Sequence, residues 1–236
     1  MDCFNSSARK ALLAPDKSEV PSKSMHVRVA GRLVEAWNDE HFAKLRAAHN
    51  VPDHFLDQTN HQVSVDFTAP RAESSAGKGG HAQYDSACGK FVVKALSGDD
   101  NTMLLKLAGS LVQKLLSGST LLCPIYLHFV DPETEKAYMV MRNLTQAGPW
   151  KAKYDLKGCA DDKTLEVDGV PIQPVRRRFW RADMWLRCAW TPDRWRYYEG
   201  KQQARALRLG MAACHRDDLV RMIKTDADWL ISNGIM

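Results

Sequence analysis

No apolar run in this 236-residue chain approaches the length needed to cross a bilayer, so no spanning helix is expected. The first residues, Met1-Asp2-Cys3-Phe4-Asn5, lack the apolar core of a secretory leader, and Asp2 stands where N-myristoylation requires glycine. Six cysteines (Cys3, Cys88, Cys123, Cys159, Cys188, Cys214) form no Cys-x-x-Cys pair and no Cys/His cluster at zinc spacing. Free thiols in a reducing compartment follow from that scatter. There is no internal repeat, and no Gly-Lys-Ser/Thr closes a Walker A loop. These absences leave a cytosolic globular protein that at most lies against a membrane.

What is present suits one large domain or two lobes: 44% hydrophobic and 26% charged residues over 236 positions. The net charge of +5 is compatible with anionic partners and decides among none of them. Residues 1–24 are polar and rich in Ser, Lys and Pro, and read as a tail. A helix is predicted from Asp39, with Phe42, Leu45 and Ala47-Ala48 on one face and Val51-Pro52 ending it. A second short helix is expected around Phe55 and Leu56, and residues 62–67 alternate as a half-buried strand. Residues 74–80 can only be a loop or tight turn. Residues 91–96 read as a strand, and residues 99–116 as the clearest helix. That helix has Asp99 and Asp100 at its positive end, a Leu104, Leu107, Leu111, Leu115 stripe, and Ser117-Gly118 as its stop. A hairpin over 121–141 and a last helix from about Asp217 to Ser232 follow, the latter with Leu219, Met222, Ile223, Trp229 and Leu230 inward.

Between Pro171 and Tyr198, Trp180, Trp185, Trp190 and Trp195 recur every five residues among arginines. A step of five makes no single stripe on a helix or strand. The segment is read as irregular, its aromatics packing as anchors with Arg stems over them. Stacking on nucleic-acid bases is the weaker reading, because no nucleic-acid module accompanies it. No nucleic-acid partner is expected.

Lys94 is the first candidate for chemistry. In Val92-Val93-Lys94-Ala95-Leu96 it is costly to bury unless an anion pairs with it, although an edge strand facing water would also accommodate it. Gly77, Gly79 and Gly80 precede it by 14 to 17 residues, with Lys78 between them. A glycine turn followed by a strand lysine lets backbone amides approach phosphates while the ammonium neutralises them. Asp100 or Asp99 could hold Lys94 in place, or could simply complement the helix N-terminus. Arg142-Asn143-Leu144 has the place of a hinge whose backbone could read an adenine.

These parts acquire a common meaning in their order. Phe91-Val92-Val93-Lys94, Leu121-Leu122-Cys123-Pro124, Tyr138 to Asn143, and Tyr154-Asp155-Leu156-Lys157-Gly158 resemble successive landmarks of the phosphatidylinositol phosphate kinases. Gly77-Lys78-Gly79-Gly80 stands where that family carries Gly-Lys-Ser-Gly, and Asp226-x-x-Trp229-Leu230 through Ile235-Met236 resembles its approach to the catalytic segment. The resemblance covers roughly residues 25 to 236. It implies an α+β, protein-kinase-like fold: an antiparallel-sheet N-lobe with a packed helix over residues 25–150, and an incomplete C-lobe over 151–236. It implies ATP and Mg²⁺ as cofactors, and transfer of the γ-phosphate to an inositol-ring hydroxyl of a phosphoinositide lipid, at the inner face of the plasma membrane. Lys94 would be the phosphate lysine, Gly77 to Gly80 the covering turn, and Asp100 the acid steadying Lys94. Arg142, Asn143 and Leu144 would form the hinge, and Asp155 and Lys157 the cleft wall. No metal ligand is assigned.

Three departures stand out. His81-Ala82-Gln83-Tyr84 replaces an aromatic run, and Cys159 replaces the usual Ser. The family continues from Ile-Met into Asp-Tyr-Ser-Leu-Leu, whose Asp is catalytic, whereas Ile235-Met236 are the last residues given. The expectation for the chain alone is therefore negligible lipid-kinase turnover. The alternative is a kinase-derived module that binds nucleotide, acidic lipid or a protein partner without transfer.

Overall fold

This computed structural model describes residues 24–57, 65–70, 81–146, 148–174 and 190–235, and among them are two antiparallel sheets and four helices. The larger sheet contains β1 (Met25–Val29), β2 (Arg32–Ala36), β3 (Gln83–Asp85), β4 (Phe91–Ala95), β5 (Ile125–Asp131) and β6 (Lys136–Arg142), in the spatial order β1-β2-β5-β6-β4-β3. The smaller contains β7 (Ala152–Asp155), β8 (Lys163–Val167) and β9 (Val170–Pro171), in that order. The helices are α1 (Asp39–Ala48), α2 (Gly98–Leu116), α3 (Pro192–Ala206) and α4 (Ala213–Ser232). This is the expected α+β architecture.

The β1–β2 hairpin has no counterpart in the elements predicted above. Val29 pairs with Arg32 across a two-residue loop whose Ala30 and Gly31 both have positive φ, the geometry that matches strand twist. Ala30 tolerates it because its N–H donates to the Leu56 carbonyl at 2.8 Å. Val29, Val34 and Ala36 then join Phe42, Leu45, Phe129 and Val140 in the core.

Helix α1 begins where predicted, but Ala47 and Ala48 face outward and Arg46 takes the inward place. The reason is a buried ion pair: Arg46 Nη1 and Nη2 donate to the two Asp39 carboxylate oxygens at 2.7 and 2.9 Å. Phe55 and Leu56 are buried but sit in a turn rather than a helix, with bonds that reach back only three residues from Phe55 to Pro52 and from Asp57 to His54. Of the strand predicted over 62–67, residues 62–64 lie outside the described residues. Val65 makes one isolated bridge to Ser86, and Asp66 opens a turn by accepting from Thr68.

Helix α2 follows the leucine stripe, with Leu104, Leu107, Ala108, Val112 and Leu115 buried. Its cap is Ser97, whose Oγ accepts from the Asp100 N–H at 3.0 Å. The helix covers the face of the sheet that carries Lys94, Met139 and His128, since Met139 pairs with both of the others. His128 is fully buried there, with Nε2–H donating to Asn101 Oδ1 at 2.7 Å and Nδ1 without a partner. Burial pushes its pKa down to about 4. Below pH 6.5 the unfolded chain takes up a proton that the folded one refuses until about pH 4. Stability is therefore expected to fall by about 3 kcal/mol across that window. Urea midpoints at pH 7.5 and 4.5 check this, and His128→Gln should flatten the difference.

Two further corrections concern the second half. Residues 192–198 belong to α3, begun by Pro192 and capped by Thr191 Oγ1, which accepts from the Arg194 N–H. Tyr198 packs edge to face on Trp190 and Trp195, which are tilted against each other, with the Arg194 guanidinium 4.9 Å from the Trp190 ring. Trp180 and Trp185 lie outside the described residues. In α4, which starts at Ala213, Ile223 is exposed rather than inward, while Leu219, Met222, Trp229 and Leu230 are half-buried. The buried residue of α4 is Asp226.

Candidate functional site

Lys94 lies on β4, which has β6 on one side and β3 on the other, so the edge-strand reading is excluded. Its side chain enters a cavity of about 260 Å³ between the sheet, α2 and α4. Leu96 and Met139 line it from the sheet, Met103, Leu104 and Leu107 from α2, and Trp229 and Leu230 from α4. Asp100, from the first turn of α2, is the one carboxylate among the described lining residues. No ion pair joins it to Lys94, and Lys94 has no ion-pair partner among the described residues. An unneutralised ammonium in mostly apolar surroundings is a strong attractor for an anion.

Cys123 closes part of the wall with its thiol donating to the Arg142 carbonyl at 3.4 Å. Burial pushes that thiol up to about 11, so it stays neutral and serves as packing. Nothing in the residue pattern marked Leu122, Cys123 or Met103 as cavity walls. They become so only when α2 and the strand β5 are brought together.

At the far side Asp226 fastens α4. It accepts from Thr120 Oγ1 at 2.8 Å and from the Leu121 N–H at 2.7 Å, and its Oδ1 lies 2.9 Å from Lys114 Nζ. Burial works against the charged form, but the Lys114, Leu121 and Thr120 donors outweigh it and hold the carboxyl below its usual range. Its contribution is thus present above the unfolded carboxyl pKa and is lost as pH falls through the lower folded value.

The other predicted residues lie elsewhere. Arg142 N–H donates to the Pro124 carbonyl, Asn143 N–H to the Lys90 carbonyl, and Asn143 Nδ2 to the Gly89 carbonyl. Two of the three hinge amides are therefore already engaged, and Leu144 is 60% exposed. None of the three lines the Lys94 cavity. Asp155 and Lys157 form an ion pair with each other at the end of β7, with Lys163 3.8 Å from the same carboxylate. Asp155 ends a strand of the smaller sheet and Lys157 lies in the loop just after it, neither lining the Lys94 cavity. The loop after them is shaped by Asp162, which accepts from the backbone N–H groups of Lys157 and Cys159. Gly158 turns there with φ of 70°. The Lys157 N–H above all keeps the Asp162 carboxyl below its ordinary range. Gly77, Lys78, Gly79 and Gly80 lie outside the described residues.

A larger concavity, about 890 Å³, lies between the β1–β2 hairpin and α1. Four acids line it, Asp39, Glu40, Asp53 and Asp57, the first and third engaged by Arg46, and no lysine among the described residues does, so it is a poorer place for a phosphate than the Lys94 cavity.

A family model described as Phosphatidylinositol-4-phosphate 5-Kinase matches residues 66–236. No curated protein matches the chain.

Proposed function

This chain belongs to the phosphatidylinositol-4-phosphate 5-kinase family, and we propose that its Lys94 cavity holds ATP for transfer of the γ-phosphate to an inositol-ring hydroxyl of a phosphoinositide lipid. The observation that carries the reading is a Lys94 ammonium on an interior strand, in a mostly apolar cavity, with no ion-pair partner among the described residues. The phosphates meet Lys94, and the apolar lining from Leu104, Leu107 and Met139 accepts the flat base. The phosphate-covering role of Gly77 to Gly80, with Lys78, rests on the family resemblance. Asp100 shares the cavity without an ion pair to Lys94, so its steadying role belongs to the nucleotide-bound site. Any contact of the adenine edge with the 142–144 segment falls to Leu144, outside the residues that line the cavity, because the Arg142 and Asn143 amides are bonded elsewhere.

The Asp155–Lys157 pair belongs to the wall that faces the first lobe from the second, with the division near residue 150. The two sheets share no strand, which supports that division. Phosphoryl transfer depends on positioning and charge neutralisation, and Lys94 supplies the latter from this half of the cleft. Mg²⁺, when bound, would neutralise the phosphates. Asp100 is the one carboxylate offered to it by the described cavity, too few to fix it without the nucleotide.

No helix among the described residues is long and apolar enough to cross a membrane. The lipid substrate places the protein peripherally, on the cytoplasmic face of the plasma membrane.

Calorimetric titration with ATP, paired with ³²P transfer to phosphoinositide vesicles, tests the reading. Saturable ATP binding is expected, with little transfer by the 236 residues alone because the cavity presents a single carboxylate. Robust transfer that vanishes in Lys94→Ala would establish full kinase activity and overturn that second expectation. Binding to acidic vesicles or to a protein without any ATP binding would favour the non-catalytic module instead.

A further inference from the structure

The most deeply buried residue of helix α4 is a carboxylate, while its apolar residues are at most half-buried. Asp226 is its buried residue, while Val220, Ile223 and Ile231 on the same helix are exposed. Both oxygens of Asp226 are used, and all of its donors come from one short stretch: Lys114 in the last turn of α2, then Thr120 and Leu121 just beyond. The same two helices wall the Lys94 cavity. Helix α2 contributes Asp100, Met103 and Leu111, and α4 contributes Trp229 and Leu230, one turn after Asp226.

We propose that Asp226 is a positioning residue for this site, fixing α4 against the end of α2 so that Trp229 and Leu230 close the far wall of the cavity. The inference rests on that cavity being the nucleotide site. Its physical basis is the near-complete burial of the pair: the side chains of Asp226 and Lys114 are only 7% and 14% exposed. Removing either charge leaves the other uncompensated. The apolar residues of α4 are at most half-buried, so the helix then detaches for part of the time. Nucleotide affinity drops by the fraction of molecules in which the wall is in place.

The test uses the full chain as wild type, Asp226→Asn, Lys114→Met, Lys114→Arg and the Asp226→Asn/Lys114→Met double variant. Hydrogen exchange reads the α4 amides against those of β4 to β6, and a fluorescent trinitrophenyl-ATP probe reads the cavity. The expected result is faster exchange confined to α4 in Asp226→Asn and Lys114→Met. Probe affinity should fall about ten-fold, Lys114→Arg should stay near wild type, and the double variant should be no worse than Asp226→Asn.

Unchanged α4 exchange in both single variants would overturn the proposal. So would equal loss of protection across the β4 to β6 amides, which marks a general structural role. Faster α4 exchange with unaltered probe affinity would overturn it as well. If the wild type binds no probe, the nucleotide reading fails, and the exchange comparison still decides whether Asp226 holds α4.

Discussion

Replacing Lys94 with alanine is expected to weaken ATP binding about fifty-fold while leaving the melting temperature within about 2 °C of wild type. The two effects separate because of where the ammonium sits. It is half-buried among Leu96, Leu104 and Met139, and no carboxylate among the described residues pairs with it, so the fold gains little from its charge. A bound phosphate gains much more: a charge-assisted contact in a partly desolvated site contributes roughly 2–3 kcal/mol. Lys94→Arg should retain part of the affinity, because it keeps the charge but changes its reach and shape. Calorimetry on the three proteins, with thermal melts alongside, makes the comparison. Equal ATP affinity in wild type and Lys94→Ala would remove the cavity from the functional account. A large drop in melting temperature for Lys94→Ala would instead make the lysine a structural group.

The second large effect concerns stability. Arg46→Met is expected to cost about 3–5 kcal/mol, because it leaves Asp39 charged, buried and unpaired. Arg46 makes a bidentate pair with Asp39 and donates to the Tyr126 carbonyl at 2.9 Å, so it ties α1 to β5 as well as satisfying the acid. Asp53 adds less, since its side chain is 71% exposed. Replacing both charges together, Arg46→Met with Asp39→Leu, should recover a good part of the loss. Urea unfolding of the single and double variants measures both terms. A loss below about 1 kcal/mol for the single variant would show that α1 is held by its apolar residues alone.

Arg46 also shows why parts of the fold were hard to read from residue pattern. Periodicity counts Ala47 and Ala48 as inward because they are apolar, and it cannot see that Asp39 and Arg46, seven residues apart, neutralise each other in the interior. The α4 face failed for a related reason. Apolar residues occur on more than one side of that helix, and the docked side is chosen by Asp226, whose donors lie more than a hundred residues earlier. Helix α2 was legible because burial there follows the helical period with few exceptions, and β4 because its apolar run Phe91-Val92-Val93 is buried on both faces.

The β8–β9 hairpin carried a usable signal in Asp168-Gly169, both at positive φ across a two-residue turn, and that signal was passed over. The β1–β2 hairpin turns on Ala30-Gly31, which announces itself less clearly. At the site, Lys94 and Asp100 could be named from the sequence. The walls contributed by Cys123 and Trp229 exist only through tertiary packing. Asp155 and Lys157 pair with each other at the end of a strand of the smaller sheet, a placement that the tetrapeptide alone does not convey.

The most direct test of the Lys94 cavity as the nucleotide site is a methyl NMR titration of the methionine-labelled chain with ATP. Of the nine methionines, Met103 and Met139 line the cavity, while Met25 lies at the opposite end of the sheet order on β1. Saturable shifts of the Met103 and Met139 methyls, with Met25 unmoved and the shifts lost in Lys94→Ala, are the expected result. Shifts confined to Met25, or no saturable shift at Met103 and Met139 up to millimolar ATP, would contradict it.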